Sequence, residues 1–292
     1  MTATFLGDAP GPRGRRRVLV ASIAASVLLG FGLWVALRRL AAAGQLDAER
    51  WELLTDPDVI RYLLRGLRNT LTVAGMGMVL AGTLGGMLAL GRISRSPAVR
   101  FVARSYVEFF RGFPLILLVF FAFYGLSVTG IQLSRYWSLV FALSAYNGAV
   151  MGEIFRAGIL SLDRGQREAA MSLGMRYWPM MRIVILPQAL RRMIPTIVSQ
   201  AIVLLKDSSL GFVVGYEELL RSGQLAGTFG NNQLQTLTVV AVIFLAVNFV
   251  LSRIARRLEV RQRRRYRAES IEVSGVEDLV AVNAPAAAGR AR

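Results

Sequence analysis

The chain has 292 residues, of which 54% are hydrophobic, and its formal net charge at pH 7 is +17. It contains no cysteine and no histidine, which excludes disulfides, thiolate and imidazole metal sites, and cysteine or histidine catalysis. The apolar residues exceed the roughly 45–50% typical of soluble domains and fall into long uncharged runs. The composition therefore indicates an integral membrane protein, and we expect no metal site, no cofactor and no catalytic residues.

The distribution of positive charge separates a membrane protein from a nucleic-acid-binding one. Arginine supplies 34 of the 35 basic residues, and Lys206 is the single lysine. The arginines cluster at the ends of the apolar runs, where they meet lipid headgroups and set topology. This placement argues against nucleic acid as a partner.

The first apolar run covers residues 18–37 and follows a basic N-terminal tail at residues 1–17. Its 20 residues suffice to cross about 30 Å of hydrocarbon. A signal peptide is the competing interpretation, but an apolar core of about 7–15 residues would be expected there. We predict a retained membrane-spanning helix.

Residues 38–65 are polar and form the predicted first external loop. Asp56 and Pro57 match a helix N-cap followed by proline at the first helical position. Beyond them an apolar stripe faces an arginine stripe, which predicts an amphipathic helix at the membrane surface. An ordinary packing helix between two spans is the alternative.

Five further spans are predicted, which makes about six in an all-α membrane fold: residues 70–90, 115–130, 137–152, 194–214 and 234–251. The second span contains Gly82 and Gly86 at the GxxxG spacing that permits close helix packing in lipid. Residues 66–255 form the predicted transmembrane domain. Residues 256–292 are basic at first, and from 268 onward they have the composition of a disordered tail.

Counting arginines at the span ends predicts the orientation. With the N-terminus inside the cell, the inside segments hold 24 arginines and the outside segments hold 8. Both termini are therefore predicted to be cytoplasmic, in the cytoplasmic membrane of a bacterium. The long loop at 154–192 is then cytoplasmic as well.

That cytoplasmic loop carries the most specific motif of the chain. Glu168-Ala169-Ala170 is followed after three residues by Gly174, and after nine more by Val184-Ile185-Leu186-Pro187. This spacing resembles the EAA loop of the permease subunits of ATP-binding-cassette (ABC) importers. Val184 stands where that pattern has isoleucine. In the predicted coupling loop, residues 163–187, Glu168 is expected in the first turn of a short helix, where the helix dipole stabilises its negative charge. Ala169 and Ala170 leave room for a partner, and Gly174 permits a tight turn.

Further segments resemble the polar amino acid subfamily of these permeases. They are 108–115, 145–149, 153–159, 186–191 and 205–210. The N-terminal segments 8–15 and 44–51 are similar to one branch of glutamate-uptake permeases. The resemblance implies the type-1 ABC transmembrane fold and transport of a polar amino acid, with glutamate first and glutamine, aspartate or arginine next. It also implies cytoplasmic ATPase subunits docked at the coupling loop, a second permease chain and an external solute-binding protein.

Charged residues inside an apolar span are candidates for solute contact, because charge is costly there. Lys206 and Asp207, with the hydroxyls of Ser208 and Ser209, form the candidate solute path. The alternative is that Lys206 and Asp207 neutralise each other near a helix break. Glu153 is predicted to pair with Arg156 or Arg164.

ATP hydrolysis is assigned to another chain, because a P-loop requires G-x-x-x-x-G-K-[ST] and Lys206 follows two leucines instead. Two other classes of membrane protein are alternatives to an ABC permease. A secondary transporter or channel predicts inverted repeats or paired broken helices, and a membrane enzyme predicts grouped catalytic side chains. The sequence indicates neither.

Overall fold

The computed structural model describes residues 11–283, and this part of the chain is helical, with no β-strand. Twelve α-helices follow one another: α1 Pro12–Ala42, α2 Glu49–Glu52, α3 Pro57–Arg92, α4 Pro97–Gly112, α5 Leu115–Phe120, α6 Leu126–Val128, α7 Arg135–Leu160, α8 Arg164–Ser172, α9 Tyr177–Met180, α10 Leu186–Asp207, α11 Leu219–Phe229 and α12 Gln233–Asn283. Turns of π-helix, Phe121–Gly125 and Met181–Ile185, join α5 to α6 and α9 to α10.

Five helical segments are long and apolar enough to cross a membrane: Arg13–Ala42, Pro57–Arg92, Arg135–Leu160, Tyr177–Val214 and Gln233–Leu258. A sixth span is formed if α4 and the α5–α6 segment count as one, although they are bent by 103°. The predicted third span begins at Leu115, as expected, because Pro114 ends the preceding helix. The sequence did not predict α4.

The external amphipathic helix is not a separate element. Asp56 caps α3 as predicted, since its carboxylate accepts a hydrogen bond from the amide of Asp58 at 2.7 Å, and Pro57 begins the helix. The helix then continues without a break to Arg92, because no proline or turn signal interrupts it. At 1.5 Å per residue α3 is roughly 54 Å long, so its arginine-bearing first turns extend beyond the hydrocarbon.

Both ends of the chain are more helical than predicted. The first helix begins at Pro12, so the arginines assigned to the N-terminal tail lie in its first turns. The last helix continues to Asn283, past residue 268 where a disordered tail was expected. Within this helix no proline lies before residue 285 to end it. Residues 1–10 and 284–292 of the predicted tails lie outside the described residues.

The core is built where α3 packs along α7. A Cβ added at Gly85 would lie 2.5 Å from the Cβ of Met151, and one added at Gly148 would lie 2.7 Å from Leu84. The predicted GxxxG pair does not make this contact, since Gly82 and Gly86 face open space. The small residues that permit close packing are instead Gly77, Ala81 and Gly85, spaced four apart on one helix face.

The first span stands apart from this bundle, and its residues remain exposed within the chain. The segment after it contacts the turn between α11 and α12 and the start of α12. The amide of Gln235 donates to the backbone oxygen of Gln45 at 2.5 Å, and the side chain of Leu53 packs on Gly230.

Candidate functional site: the predicted coupling segment and the charged residues of the spans

The predicted coupling loop is a helix–turn–helix between α7 and α10. Asp163 caps α8, and its carboxylate accepts from the amide of Gly165 at 3.3 Å. At the other end the amide of Gly174 donates to Met171 O at 2.9 Å, and that of Met175 to Ala170 O at 3.1 Å. These two bonds form a Schellman motif. Gly174 has φ +73°, so the predicted tight turn at this glycine is confirmed.

The three residues of the EAA motif have different environments. Glu168 is exposed and lies in the second turn of α8, so its predicted position in the first turn is wrong, because the helix already begins at Arg164. Ala169 is exposed, which leaves the predicted room for a partner. Ala170 is 4% exposed and packs into an apolar cluster of the chain itself, which includes Ile159, Met180 and Ile185.

The distal end of the motif leads directly into α10. Leu186 is half-buried against the same apolar cluster, and Pro187 is exposed in the first turn of α10, as predicted. Proline has no amide hydrogen and its ring crowds the carbonyl four residues earlier. The wider π turn Met181–Ile185 precedes it and accommodates this interruption.

Side-chain hydrogen bonds tie α8 to the adjoining ends of α7 and α10. The guanidinium of Arg167 donates to Ile159 O in α7 at 3.4 Å, and the amide of Gln188 in α10 donates to Gln166 Oε1 at 3.1 Å. Arg192 donates to Ser161 O at 3.0 Å, which joins the two spans to each other. Sequence reasoning missed these contacts, because their partners are up to 31 residues apart.

The face of this segment that points away from the bundle is apolar. Leu173 is 82% exposed and Trp178 is 59% exposed, and Met171 and Tyr177 lie beside them. Such a patch, flanked by arginines outside the hydrocarbon, has the character of a protein-binding surface.

The candidate solute residues lie at the end of α10, where the helix narrows into a 3-10 turn, Ser208–Val214. The break predicted there is confirmed. Lys206 is exposed and Asp207 is half-buried, and the two do not form an ion pair with each other within the described part of the chain. Mutual neutralisation is therefore not observed. The hydroxyls of Ser208 and Ser209 donate to Leu205 O and Lys206 O, each at 2.7 Å.

Glu153 is the centre of a charged cluster towards the C-terminal end of α7. Its carboxylate accepts from Arg156 at 2.7 Å, as predicted, and also from Arg92 at the end of α3. Arg164, the other predicted partner, is exposed and does not pair with it. Arg92 was missed because it lies 61 residues away in sequence.

A cavity of about 480 Å³ adjoins Glu153 between α7, α10 and the end of α4. Its lining includes Arg111, Glu153, Arg192 and Thr196 together with apolar side chains of α7. One turn further along α10, Gln200 donates to the buried Asn147 of α7 at 2.7 Å.

Residues 81–264 match the model of the family described as the inner membrane component of binding-protein-dependent transport systems. The chain belongs to this family. It is a multi-pass membrane permease of the ABC importer class, so the prediction from the EAA spacing is confirmed. The match begins within α3 and includes the coupling segment, and it leaves α1, α2 and the first part of α3 outside.

Named relatives match most of the chain in sequence. The chain is 39% identical over 243 residues to the glutamate transport system permease protein GluD of Corynebacterium glutamicum, which covers 82% of this chain and 89% of that one. It is 38% identical over 206 residues to the probable glutamine ABC transporter permease protein GlnP of Bacillus subtilis, covering 70% and 94%.

Solved structures agree with the type-1 fold. An amino acid ABC transporter crystallised with histidines superposes with a TM-score of 0.67 at 30% identity, over 73% of this chain and 98% of that chain. The inward-facing MetNI methionine transporter superposes with a TM-score of 0.56 at 21% identity, over 70% and 99%, and supports the fold alone.

Proposed function

We propose that this chain is the permease subunit of an ABC importer that translocates a polar amino acid, with glutamate as the first candidate and glutamine, aspartate or arginine next. Permeases named for glutamate, glutamine and arginine transport are its relatives at 35–39% identity. The N-terminal segments that resemble glutamate-uptake permeases favour glutamate among these solutes.

The observation that carries the proposal is the coupling segment itself. Its apolar outer face around Leu173 and Trp178 suits a cytoplasmic ATPase subunit, while its inner face is bonded to α7 and α10. When ATP binding closes two ATPase subunits, the α8 segment moves with them. Because Arg167 and Gln166 connect α8 to both spans, this movement reaches the helices and switches access from one side of the membrane to the other.

The partners follow from this mechanism. ATP is bound and hydrolysed by separate subunits, a second permease chain completes the pathway, and an external binding protein delivers the solute. The arginine bias supports both termini on the cytoplasmic side of a bacterial membrane, since 24 arginines then lie inside and 8 outside.

Uptake in whole cells tests the solute. Cells that lack this chain are compared with cells that express it together with its partner subunits, using radiolabelled glutamate, glutamine, aspartate and arginine. Uptake of at least one of these, dependent on the chain, is expected, with glutamate fastest. If none is taken up by the complete system, the assignment to amino acids is wrong.

A further inference from the structure

A second, smaller cavity lies between α10 and α12. Its volume is about 170 Å³, which is below the roughly 300–1,000 Å³ that sites for whole small molecules occupy. A cavity of this size between two spans suits one polar group of a larger molecule whose remainder lies outside. Three residues of each helix line it: Pro195, Ser199 and Ile202 of α10, and Ser252, Ala255 and Arg256 of α12.

The position of this cavity along α12 places it at the membrane surface. The last span begins at Gln233, and at 1.5 Å per residue Ser252 lies about 28 Å and Arg256 about 34 Å further along the helix. The hydrocarbon is about 30 Å thick. The side chain of Arg256 is exposed, so its guanidinium lies at the level of the lipid headgroups.

The polar groups of the cavity favour a phosphate. Arg256 supplies a guanidinium, whose paired donors match the oxygens of a phosphate group, and Ser252 supplies a hydroxyl one helical turn earlier. The hydroxyl of Ser199 is already bonded within α10, since it donates to Pro195 O at 3.0 Å. None of the six lining residues carries a carboxylate that would repel an anion.

The surroundings of the cavity suit the rest of an anionic lipid. Residues 252–267 contain eight arginines and one carboxylate, that of Glu259. Arginine clusters directly beyond a span, and basic pockets between spans, bind anionic lipid headgroups. Acyl chains pack well on apolar side chains that a span leaves uncovered. Four such side chains neighbour the lining residues in sequence and are between 37% and 57% exposed: Ile194, Val203, Val250 and Ile254.

We propose that this cavity binds the phosphate of an anionic phospholipid. Arg256 and Ser252 donate to the phosphate oxygens, and the acyl chains lie along the exposed apolar faces of α10 and α12. The lipid thereby holds α10 against α12 beside Pro195, the proline within α10. A free phosphate ion lacks the apolar part that these faces accommodate. This binding goes beyond the proposed function and does not depend on which solute the chain transports.

Lipid binding is measured directly on the full permease complex. The delipidated complex is titrated with phosphatidylglycerol or with phosphatidylcholine, and native mass spectrometry measures how much of each lipid stays bound. Phosphatidylglycerol is expected to bind more tightly, because only its headgroup has a net negative charge. Arg256→Gln should weaken its binding roughly 10- to 100-fold, as expected for the loss of hydrogen bonds to a charged group.

Arg253→Gln is the matched control for the loss of charge. Arg253 lies one turn earlier on α12, and its guanidinium stacks over the ring of Phe249 at 4.6 Å, outside the cavity. Both substitutions remove one positive charge from the same membrane surface. Arg253→Gln should therefore weaken phosphatidylglycerol binding by no more than about fivefold, the effect of one surface arginine. Ala255→Leu fills the cavity without a change of charge and should weaken binding more than Arg253→Gln does.

Three results would overturn the inference: equal phosphatidylglycerol binding by Arg256→Gln and Arg253→Gln, displacement of the lipid by millimolar inorganic phosphate, or separation of two permease chains in Ala255→Leu. The first would leave only a diffuse attraction to the membrane surface. The second would assign the cavity to a free anion, and the third to a contact between chains. Failure of the proposed function looks different, because the wild-type complex would then take up none of the labelled amino acids while its lipid binding remained.

Discussion

The turn at Gly174 provides a graded test of the coupling segment. Its φ of +73° lies in the left-handed region, and a Cβ added there would meet no atom within 4 Å. Substitution therefore strains the backbone without creating a steric clash. Asparagine tolerates this region, alanine costs about 1–2 kcal/mol, and a β-branched valine costs more.

The expected consequence is a loosened turn at the centre of the proposed ATPase-binding surface. Every 1.4 kcal/mol reduces the population of the ordered turn relative to the disordered one about tenfold. The two hydrogen bonds of the Schellman motif, from Gly174 and Met175, would be lost together. Uptake should therefore fall in the order Gly174→Asn, Gly174→Ala, Gly174→Val, and the last variant should lose uptake and bind the ATPase weakly.

The assay measures amino acid uptake, ATPase co-purification and the amount of chain in the membrane. Gly165→Ala is the matched control, since Gly165 lies in the first turn of the same α8, lacks a positive φ and has only Asp163 Oδ1, at 3.9 Å, near its added Cβ. It should behave as the wild type. Normal uptake by Gly174→Val, with normal membrane insertion, would refute the role of this turn in coupling.

Two further substitutions test the charged residues. Lys206→Met should depress uptake sharply and leave solute binding to the external protein unchanged. Because Lys206 and Asp207 do not pair, adding Asp207→Leu should not restore uptake. Recovery of uptake in the double variant would show that the two residues have a structural role and do not contact solute. Burial at the N-cap of α11 raises the pKa of Glu218 to about 7 from its ordinary 4.5. The folded chain then binds a proton more readily than the unfolded chain, so wild-type stability should fall by at most about 3 kcal/mol as pH rises from about 5 to about 8. Melting temperatures of Glu218→Gln should lack this fall, and an identical pH dependence in both proteins would contradict the assignment.

The sequence predicted the spans that are uniformly apolar and missed the helix α4, which is not. The helix α4 carries Arg100, Arg104 and Glu108, so hydropathy does not mark it, although Ala103 and Val107 on its other face are buried. The arginine stripe that follows Asp56 was interpreted as a surface helix because periodicity alone does not reveal where one helix ends. Only the absence of a helix-breaking residue before Arg92 distinguishes a separate surface helix from the first turns of a long membrane span.

The candidate site was predictable in its residues but not in its geometry. Motif spacing identified Gly174 and its turn, because a glycine between two short helices has few other uses. The same spacing does not say that Ala170 faces the chain's own core while Ala169 faces outward. The arginines that surround Glu153 come from other helices, and contacts across such separations depend on how the helices pack.

The energy source for transport tests the central claim most directly. The complex is reconstituted in liposomes with the external binding protein, and glutamate uptake is measured with ATP inside the liposomes or with a proton or sodium gradient alone. We predict uptake only with ATP, the ATPase subunits and the binding protein together, and no ATPase activity from this chain by itself. Uptake driven by an ion gradient without ATP would contradict the account.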